Sequence, residues 1–495
     1  MSGDCKSGDR SGTDLAEIAR WSKQLVESEA FLRIRRSGII ERLRAGLGGS
    51  HTVVTYPPLD YLSTLDHNEI VGSIKPVAKL NLYLHVAFCE YVCRFCHYTT
   101  VRTRIGEGDD RRDAYVRALL KEVRRWKEHL GASGLESLYI GGGTPTVLPE
   151  KELVELIGAL EGFKKRPGFR ACVETSPVTA SSDAGRKKLA SLVGAGVGRF
   201  SIGVQSFDDR LLRTHRGHDL QVVLRAVENV MERNVESNVD LIQDLPGQTD
   251  ESIANDVKWI SCFRPHQVTW YVLRFQPGSV WSKSVPASAG ELAGSLESVR
   301  RRALIRRAME SIGYLSRPGG RFVRDASIED TYKNVRSQSE TNLLGVGASA
   351  YSHVWGYFFR NTPSTRSPSG VAHYIERSNR GELPVERGLR LDALERAAGK
   401  IVAGIRSRLR LPFPTPDTEA YLGHTKKQLD DLADLGLVNR DDEHYYSLTE
   451  LGSLFEEEIC ASFYTDRVKQ KLANETDTNL VGIATNSALS LGSPA

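Results

Sequence analysis

The sequence predicts an α/β protein: an open, partial barrel of six β-α units, with an N-terminal helical extension and a C-terminal winged-helix-like helical domain. Three observations predict it. Short β-rich runs alternate with longer helical stretches from Leu80 to about Leu273, and repeated β-α implies a parallel sheet with helices outside it. Six such units point to a partial barrel rather than a closed eight-fold one. After about residue 385 the alternation gives way to helices and a strand hairpin.

The elements follow in order. Residues 1 to about 14 are polar and read as disordered. Residues 15 to 48 read as helix, ended by Gly46, Gly48 and Gly49. The strands are expected at 80–86 (LNLYLHV), 137–140 (SLYI), 171–175 (ACVET), 199–204 (RFSIGV), 237–242 (SNVDLI) and 267–273 (QVTWYVL). Helical stretches lie between them, for example 113–130 and 151–163. Small and polar residues near 287–290 and at 361–370 have loop composition. "TKKQLDDLADLGLVNRDDEHYYSLTELG" reads as helix, turn, strand hairpin and helix, and the last residues read as a loose tail.

Composition bounds the function. The 495 residues are 40% hydrophobic and 26% charged, as in a globular protein. A net charge of +4 is small for this length and disfavours a dedicated nucleic-acid binder. Arg300–Arg302 and Arg306–Arg307 recur at helical spacing and read as a solvated helix face. No stretch has a signal-peptide pattern or the apolar length of a membrane span, so a cytoplasmic location with reduced thiols is expected. Of seven cysteines, Cys5, Cys172, Cys262 and Cys460 are scattered, which argues against a disulfide framework. Cys89, Cys93 and Cys96 are clustered and need another explanation.

Unusual polar residues fall at the C-terminal ends of the expected strands, the rim where loops of parallel barrels converge. Cys89 follows the first strand, Gly141-Gly142-Gly143-Thr144-Pro145 the second, and Glu174 and Gln205 close the third and fourth; Asp240 lies in the fifth. Three thiolates can hold three irons of a cubane and leave the fourth open. Structural zinc, completed by His85 or His97, is the alternative. The glycine run admits close backbone approach but lacks the lysine of a phosphate loop, and it also reads as a tight βα turn. Glu174, Gln205 and Asp240 each have a bland reading as caps or strand-end polar groups.

"YLHVAFCEYVCRFCHY", "YIGGGTPT", "RFSIGVQSFDDRLL" and "NVDLIQDLPGQT" resemble the radical S-adenosylmethionine (SAM) enzymes, in the branch of oxygen-independent coproporphyrinogen III oxidase. The resemblance runs from about residue 50 to 465. It implies a 4Fe–4S cluster on Cys89, Cys93 and Cys96, with SAM on the open iron. It implies that Gly142, Gly143 and Thr144 contact the methionine part, that Glu174, Gln205, Asp240 and Arg216 contact the rest, and that Tyr56 lies beside it. It further implies a second SAM lined by Ile242, Gln338 and Tyr351, where Tyr351 replaces an aliphatic residue. The expected division is then 1–50 helical extension, 51–300 radical SAM partial barrel, 301–385 second-SAM and substrate-side segment, 386–472 winged-helix-like domain and 473–495 tail.

Coproporphyrinogen oxidases of this branch tend to carry a fourth cysteine where this chain has Tyr98. That difference leads to an expectation of methyl or methylene transfer from the second SAM to an sp² carbon, as C-methylation or cyclopropanation in natural-product (antibiotic) biosynthesis. The alternatives are coproporphyrinogen oxidation and a heme-binding chaperone. The expected partners are a small-molecule substrate, a one-electron donor of flavodoxin or ferredoxin type and a companion methyltransferase, with no nucleic acid and no membrane.

Overall fold

The structure, a computed structural model, describes residues 15–39, 55–96, 98–105, 108–273, 296–328, 342–363, 368–441 and 445–472. The expectations for residues 1–14, for the helix beyond residue 39, for the loop near 287–290, for His97, for Gln338 and for the C-terminal tail lie outside these residues. The described residues fall into two units: one within Met1–Val26, Ser63–Arg336 and Glu340–Arg390, the other within Glu27–Leu62, Ser337–Ser339 and Leu391–Ala495.

The single helix expected from residue 15 onward is two, α1 (Leu15–Glu27) and α2 (Glu29–Arg36). The break is Ser28, whose hydroxyl oxygen accepts the Phe31 N–H at 3.3 Å and starts α2 as its N-cap.

In the first unit all six expected strands form. They are β1 (Leu80–Val86), β2 (Gly134–Gly142), β3 (Lys164–Thr175), β4 (Val197–Gln205), β5 (Glu236–Gln243) and β6 (Gln267–Val272). They pair in chain order, each parallel to the last. The crossovers are α3 (Asp110–Leu130), α4 (Glu150–Gly158), α5 (Asp183–Gly194), α6 (Asp209–His215) with α7 (Leu220–Met231), and α8 (Asp250–Phe263). Past β6, α9 (Leu296–Ser311) leads to β7 (Leu315–Arg317) and β8 (Arg321–Val323), and β8 lies antiparallel to β6. On the other edge β9 (Leu343–Val346) lies parallel to β1. From β9 the antiparallel strands β10 (Tyr351–Val354), β11 (Tyr357–Asn361) and β12 (Val385–Arg390) continue outward, with α10 (Pro368–Asn379) between the last two in sequence. Among the described residues the sheet runs from Ser63–Thr64 beside β12 to β7, with β1 and β6 on different neighbours, so it does not close.

The two faces of β1–β6 differ. Leu82, Leu84, Leu138, Ile140, Val173, Phe200, Ile202, Val239, Leu241 and Val268 share one apolar core with Tyr115, Leu119, Leu153, Leu189, Val227 and Val257 of the helices. The alternate residues make the other face. There Asn81 accepts from Ser137 at 2.6 Å, Tyr139 donates to Glu174 at 2.7 Å, Ser201 donates to Asp240 at 2.7 Å and Thr269 donates to Asn238 at 2.9 Å. This is the strand period of two applied across a parallel sheet.

The arginines of α9 are only in part a solvated face: Arg307 is exposed, while Arg302 and Arg306 are half-buried. Arg300 and Arg301 are mostly buried, Arg300 paired with Glu297 and Asp250 and Arg301 with Glu297 and Asp244. Their acids Asp244 and Asp250 come from the end of β5 and the start of α8, some fifty residues earlier in the chain.

The second unit contains α2, α11 (Ala393–Gly404), β13 (Leu409–Arg410), α12 (Glu419–Asp434), β14 (Val438–Arg440), β15 (Tyr445–Leu448) and α13 (Glu456–Ser462). Its three strands order as β13-β15-β14, with the β14-β15 hairpin following α12. No helix among the described residues is long and apolar enough to cross a membrane.

Candidate active site

The site is built at the C-terminal ends of β1–β5. β1 ends at Val86, and Phe88–Cys89 then pairs with Val101–Arg102 on the return limb of the cysteine loop. The Val101 N–H donates to the Ala87 carbonyl at 2.8 Å and Thr103 N–H to the Cys89 carbonyl at 2.9 Å, so the two limbs are zipped together. Inside the loop the Cys96 N–H donates to the Cys93 carbonyl at 3.0 Å, a turn that presents both thiols from one short segment.

The glycine run is pressed on this loop. The Gly143 N–H donates to the Val86 carbonyl at 2.8 Å and the Thr144 N–H to the Phe88 carbonyl at 2.7 Å. A Cβ on Gly143 would sit 2.3 Å from the Phe88 oxygen and 3.0 Å from the Cys89 sulfur. Gly142 has φ of 110°, and a Cβ there would lie 2.5 Å from His85 Nδ1. Only glycine fits both positions. The Thr144 hydroxyl reaches the Cys89 sulfur at 3.5 Å.

His85 is enclosed and neutral, its pKa held down to about 4 by burial. A carbonyl can only accept, so Nε2–H donates to the Thr99 oxygen at 3.0 Å; Nδ1 then accepts from the Tyr83 hydroxyl at 3.1 Å. Both ring nitrogens are engaged, which removes His85 as the fourth ligand of a zinc site.

Glu174 accepts from Tyr139 and, at 3.1 Å, from the Gly142 N–H. Burial, with the charge of Glu174, pushes the Tyr139 hydroxyl well above its usual range, so it stays a donor. Asp240 accepts from Ser201 and, at 2.9 Å, from the Asn238 amide. Gln205 has φ of 76°, and Gly203 faces its amide nitrogen. The turn after Gln205 is clamped by α8. Asp256 takes the Phe207 N–H at 2.5 Å and the Ser206 hydroxyl at 2.9 Å, while Asn255 donates to the Phe207 carbonyl at 2.9 Å.

Arg216, the C-cap of α6, brings its guanidinium to the cysteine loop: Nη1 donates to the Cys93 sulfur at 2.6 Å and Nη2 to the Gly203 carbonyl at 3.2 Å. Burial opposes its charge, but Cys93 and Glu90 outweigh burial and raise its pKa, so it remains a cation. Burial pushes the Cys89 thiol up, and the neighbouring Cys96, Glu90 and Cys93 add to this. A set of three thiols needs positive charge to ionise; Arg216 supplies it on the protein side, and a metal cluster supplies it on the other. Among the described residues no three His, Cys, Asp or Glu side chains converge as a metal site; the three thiols of one short loop, with a cation on one and a glycine cradle against another, are the donor set that the 4Fe–4S cluster implied by the resemblance would use.

The remaining expected residues are placed as follows. Ile242 packs with Leu245, Leu273 and Phe95, the last from the cysteine loop. Tyr351 packs with Tyr83, Tyr139, Cys172 and Leu343. Tyr56 lies in the second unit, buried, where its hydroxyl donates to Glu395 and, at 3.4 Å, to Thr465. The Thr465 hydroxyl and the Arg467 guanidinium also reach Glu395, at 3.0 and 2.9 Å. Beside Tyr351 the structure sets Tyr83 and Tyr139 in the first unit's site, and sequence reasoning did not single these two out. Their signal was register: Tyr83 is two residues before His85, and Tyr139 is its partner across the β1–β2 pair.

Residues 83–260 match the family model of the Radical SAM superfamily. Among curated relatives, the oxygen-independent coproporphyrinogen III oxidase of Paracoccus denitrificans is 28% identical over 68% of this chain and 74% of its own length. The heme chaperone HemW of Bacillus subtilis is 26% identical over 77% of this chain and 98% of its own. The structure of coproporphyrinogen III oxidase (HemN) from Escherichia coli, a radical SAM enzyme, matches with a TM-score of 0.66 at 23% identity, covering 83% of this chain and 96% of that one. The fold is therefore the α/β radical SAM fold of that structure, and the similarity lies with the coproporphyrinogen III oxidase branch. These relatives overturn the expectation of methyl or methylene transfer. They are named for coproporphyrinogen oxidation and heme handling, and the C-methylation and cyclopropanation assigned from Tyr98 have no support among them.

Proposed function

We propose that this chain is a radical SAM enzyme of the coproporphyrinogen oxidase type, which takes a hydrogen atom from a propionate side chain of a porphyrinogen, releases its carboxyl group as CO2 to leave a vinyl group, and passes the remaining electron to an external acceptor. The observation that carries the reading is one rim holding the three-thiol loop, the glycine cradle and the Glu174, Gln205, Asp240 and Arg216 side chains, in a chain similar to coproporphyrinogen III oxidases over two thirds of its length. When bound, a 4Fe–4S cluster with SAM supplies a one-electron cleavage that yields a hydrogen-abstracting 5′-deoxyadenosyl radical.

The chain's own residues do the rest. Cys89, Cys93 and Cys96 would hold the cluster. Gly142 and Gly143 keep the β2 backbone close to it, where any side chain would collide with His85 or Phe88. Glu174 and Asp240 would offer carboxylate oxygens to donor groups of SAM, each fixed in place by a hydroxyl from the sheet. Gln205 is presented at a strained φ by the Asp256 clamp. Among expected partners, an external one-electron donor of flavodoxin or ferredoxin type is required by this chemistry.

A second reading, a heme chaperone, is favoured by one residue. Tyr98 is half exposed, at 49%, where the oxidases tend to have a fourth cysteine. One experiment separates the two. The anaerobically reconstituted protein is given SAM, reductant and coproporphyrinogen III, and 5′-deoxyadenosine, CO2 and the decarboxylated porphyrinogen are measured. Coupled formation of all three supports the oxidase. Stoichiometric haem binding by Soret absorbance, with SAM cleavage uncoupled from any CO2, supports the chaperone.

A further inference from the structure

The β9–β12 flank of the sheet sets two arginines opposite each other. Tyr351 of β10, Arg360 of β11 and Arg387 of β12 are in direct cross-strand register, so their side chains share one face. It is the face that carries the site: Tyr351 packs with Tyr83 and Tyr139, while Val354, Tyr357 and Phe359 on the other face join the core under the helices. Both arginines are half-buried, and among the described residues no carboxylate pairs with Arg387. Like charges directly opposite destabilise an antiparallel pair. The next row on the same face, His353, Phe358 and Leu389, holds no acid, and burial keeps His353 neutral with its pKa down to about 4. Arg360 is also held in place, its Nε donating to the Ser349 carbonyl at 3.2 Å. The turn that carries Ser349 is pinned from three sides. The Gly347 N–H donates to Glu122 at 3.0 Å, the Ala348 N–H to the Tyr115 hydroxyl at 3.0 Å, and the Ser349 hydroxyl meets that of Thr99 at 2.6 Å. Thr99 lies on the return limb of the cysteine loop, so the arginine row is tied to the rim.

We propose that Arg360 and Arg387 form a subsite for a carboxylate of the substrate, which on the reading above is a propionate of the porphyrinogen. An anion between the two guanidinium groups turns their repulsion into two attractions. It gains charge-assisted hydrogen bonds that a planar fork gives to a planar carboxylate. Partial burial strengthens both effects, because charges out of bulk water are screened less. The subsite lies on the side of β1 away from β2–β5, where Gly142, Glu174, Gln205 and Asp240 stand, so it adds substrate recognition without drawing on those residues. The anchoring of the Ser349 turn by Glu122 gives that buried carboxylate a part in holding Arg360, and Asn361 beside Arg360 also donates to Glu122, at 3.2 Å.

The test is a fluorescence titration of the anaerobically reconstituted protein with coproporphyrin III, the stable oxidised form of the substrate, and with its tetramethyl ester, which carries no carboxylate charge. Wild type, Arg387→Gln, Arg387→Lys and Arg360→Gln are compared. Arg387→Gln is expected to weaken coproporphyrin III binding by about ten- to hundredfold, and Arg387→Lys by less. Ester binding, SAM binding by equilibrium dialysis and iron content are expected to match wild type. The melting temperature of Arg387→Gln is expected not to fall, because a like-charge contact is relieved. Unchanged coproporphyrin III affinity in both glutamine variants overturns the proposal. An equal loss for acid and ester also overturns it, since that is a change of shape. Weakened SAM binding with porphyrin binding kept assigns the pair to a cofactor carboxylate instead. If Arg387→Gln does not fold, Arg387→Lys decides: it keeps the charge and loses the fork, so weaker acid binding supports the subsite and equal binding removes it. Arginine-dependent binding in a wild type that releases no CO2 from coproporphyrinogen III keeps the subsite and removes the oxidase reading. Decarboxylation with the same KM in wild type and Arg387→Gln removes the subsite and keeps that reading.

Discussion

The outward and inward faces of β1–β6 are made by the same strands, one residue apart. Outward, Leu84, Ile140, Val173, Ile202 and Leu241 meet helices and are buried to completion. Inward, His85, Tyr139, Glu174, Ser201 and Asp240 are joined through hydroxyls and carboxylates, each donor matched to an acceptor. A parallel sheet covered on both faces reads as a nearly continuous apolar run. Here the polar alternate residues mark the face that is left for a ligand. Stability and chemistry are thus assigned to opposite sides of one element, and substitutions on the two sides should fail in different ways.

The largest effect expected is on the chemical side. Cys93→Ala removes a cluster ligand and the acceptor of Arg216, so iron and sulfide after reconstitution should fall below a full cluster and 5′-deoxyadenosine should be absent, with the circular dichroism of the wild type kept. Retention of a full 4Fe–4S content would break the assignment. The matching substitution on the outward side is Phe200→Ala, a fully buried ring in β4. It should cost about 3–5 kcal/mol in denaturant unfolding, while the folded fraction still binds iron.

An intermediate effect is expected from Glu174→Gln. It sets an amide N–H against either the Tyr139 hydroxyl or the Gly142 N–H, and should cost about 1–3 kcal/mol. Read as SAM affinity this is roughly ten- to hundredfold, with cluster content unchanged. If stability falls and SAM affinity does not, the inward face is structural as well. Asp256 offers a pH test. Burial pushes its carboxyl up to about 8, with the nearby Asp208 adding to the effect. The native state therefore holds a proton that the unfolded chain has lost between about pH 4 and pH 8. Stability should decline as pH rises through that window, and Asp256→Asn should flatten the decline in melting temperatures taken at pH 5 and pH 8. The smallest effect is Tyr98→Phe, which should leave iron content unchanged because no thiol is lost; a drop in iron would show that the phenol takes part in holding the cluster.

Much of the chemical side was legible. Cysteine spacing, the glycine run and the strand-end acids are local signals, and each lies at the end of a β-rich run. What could not be read was long-range. "LNLYLHV" alternates, with Asn81, Tyr83 and His85 against Leu80, Leu82, Leu84 and Val86, so the inward face of Tyr83 was legible, but its pairing with Tyr139 on the next strand was not. The helical periodicity of residues 15–39 continues across Ser28, which hides the break that the serine's cap creates. Arg300 and Arg301 looked solvated because their acids, Asp244 and Asp250, are distant in sequence. The hydroxyl of Tyr56 donates to Glu395, more than three hundred residues later, a contact with no local signal. Tyr98 misled in another way: one missing cysteine was given more weight for the reaction than the relatives bear out.

The neighbour of β1 opposite β2 is β9, with the Asn81 N–H donating to the Asn342 carbonyl at 2.9 Å and Leu82 in register with Leu344. On a ribosome, β1 and its cysteine loop emerge long before β9 does. At about 5–20 residues per second the wait is on the order of 10–50 s. For that interval one flank of β1 presents unpaired backbone groups, a template for pairing with other chains.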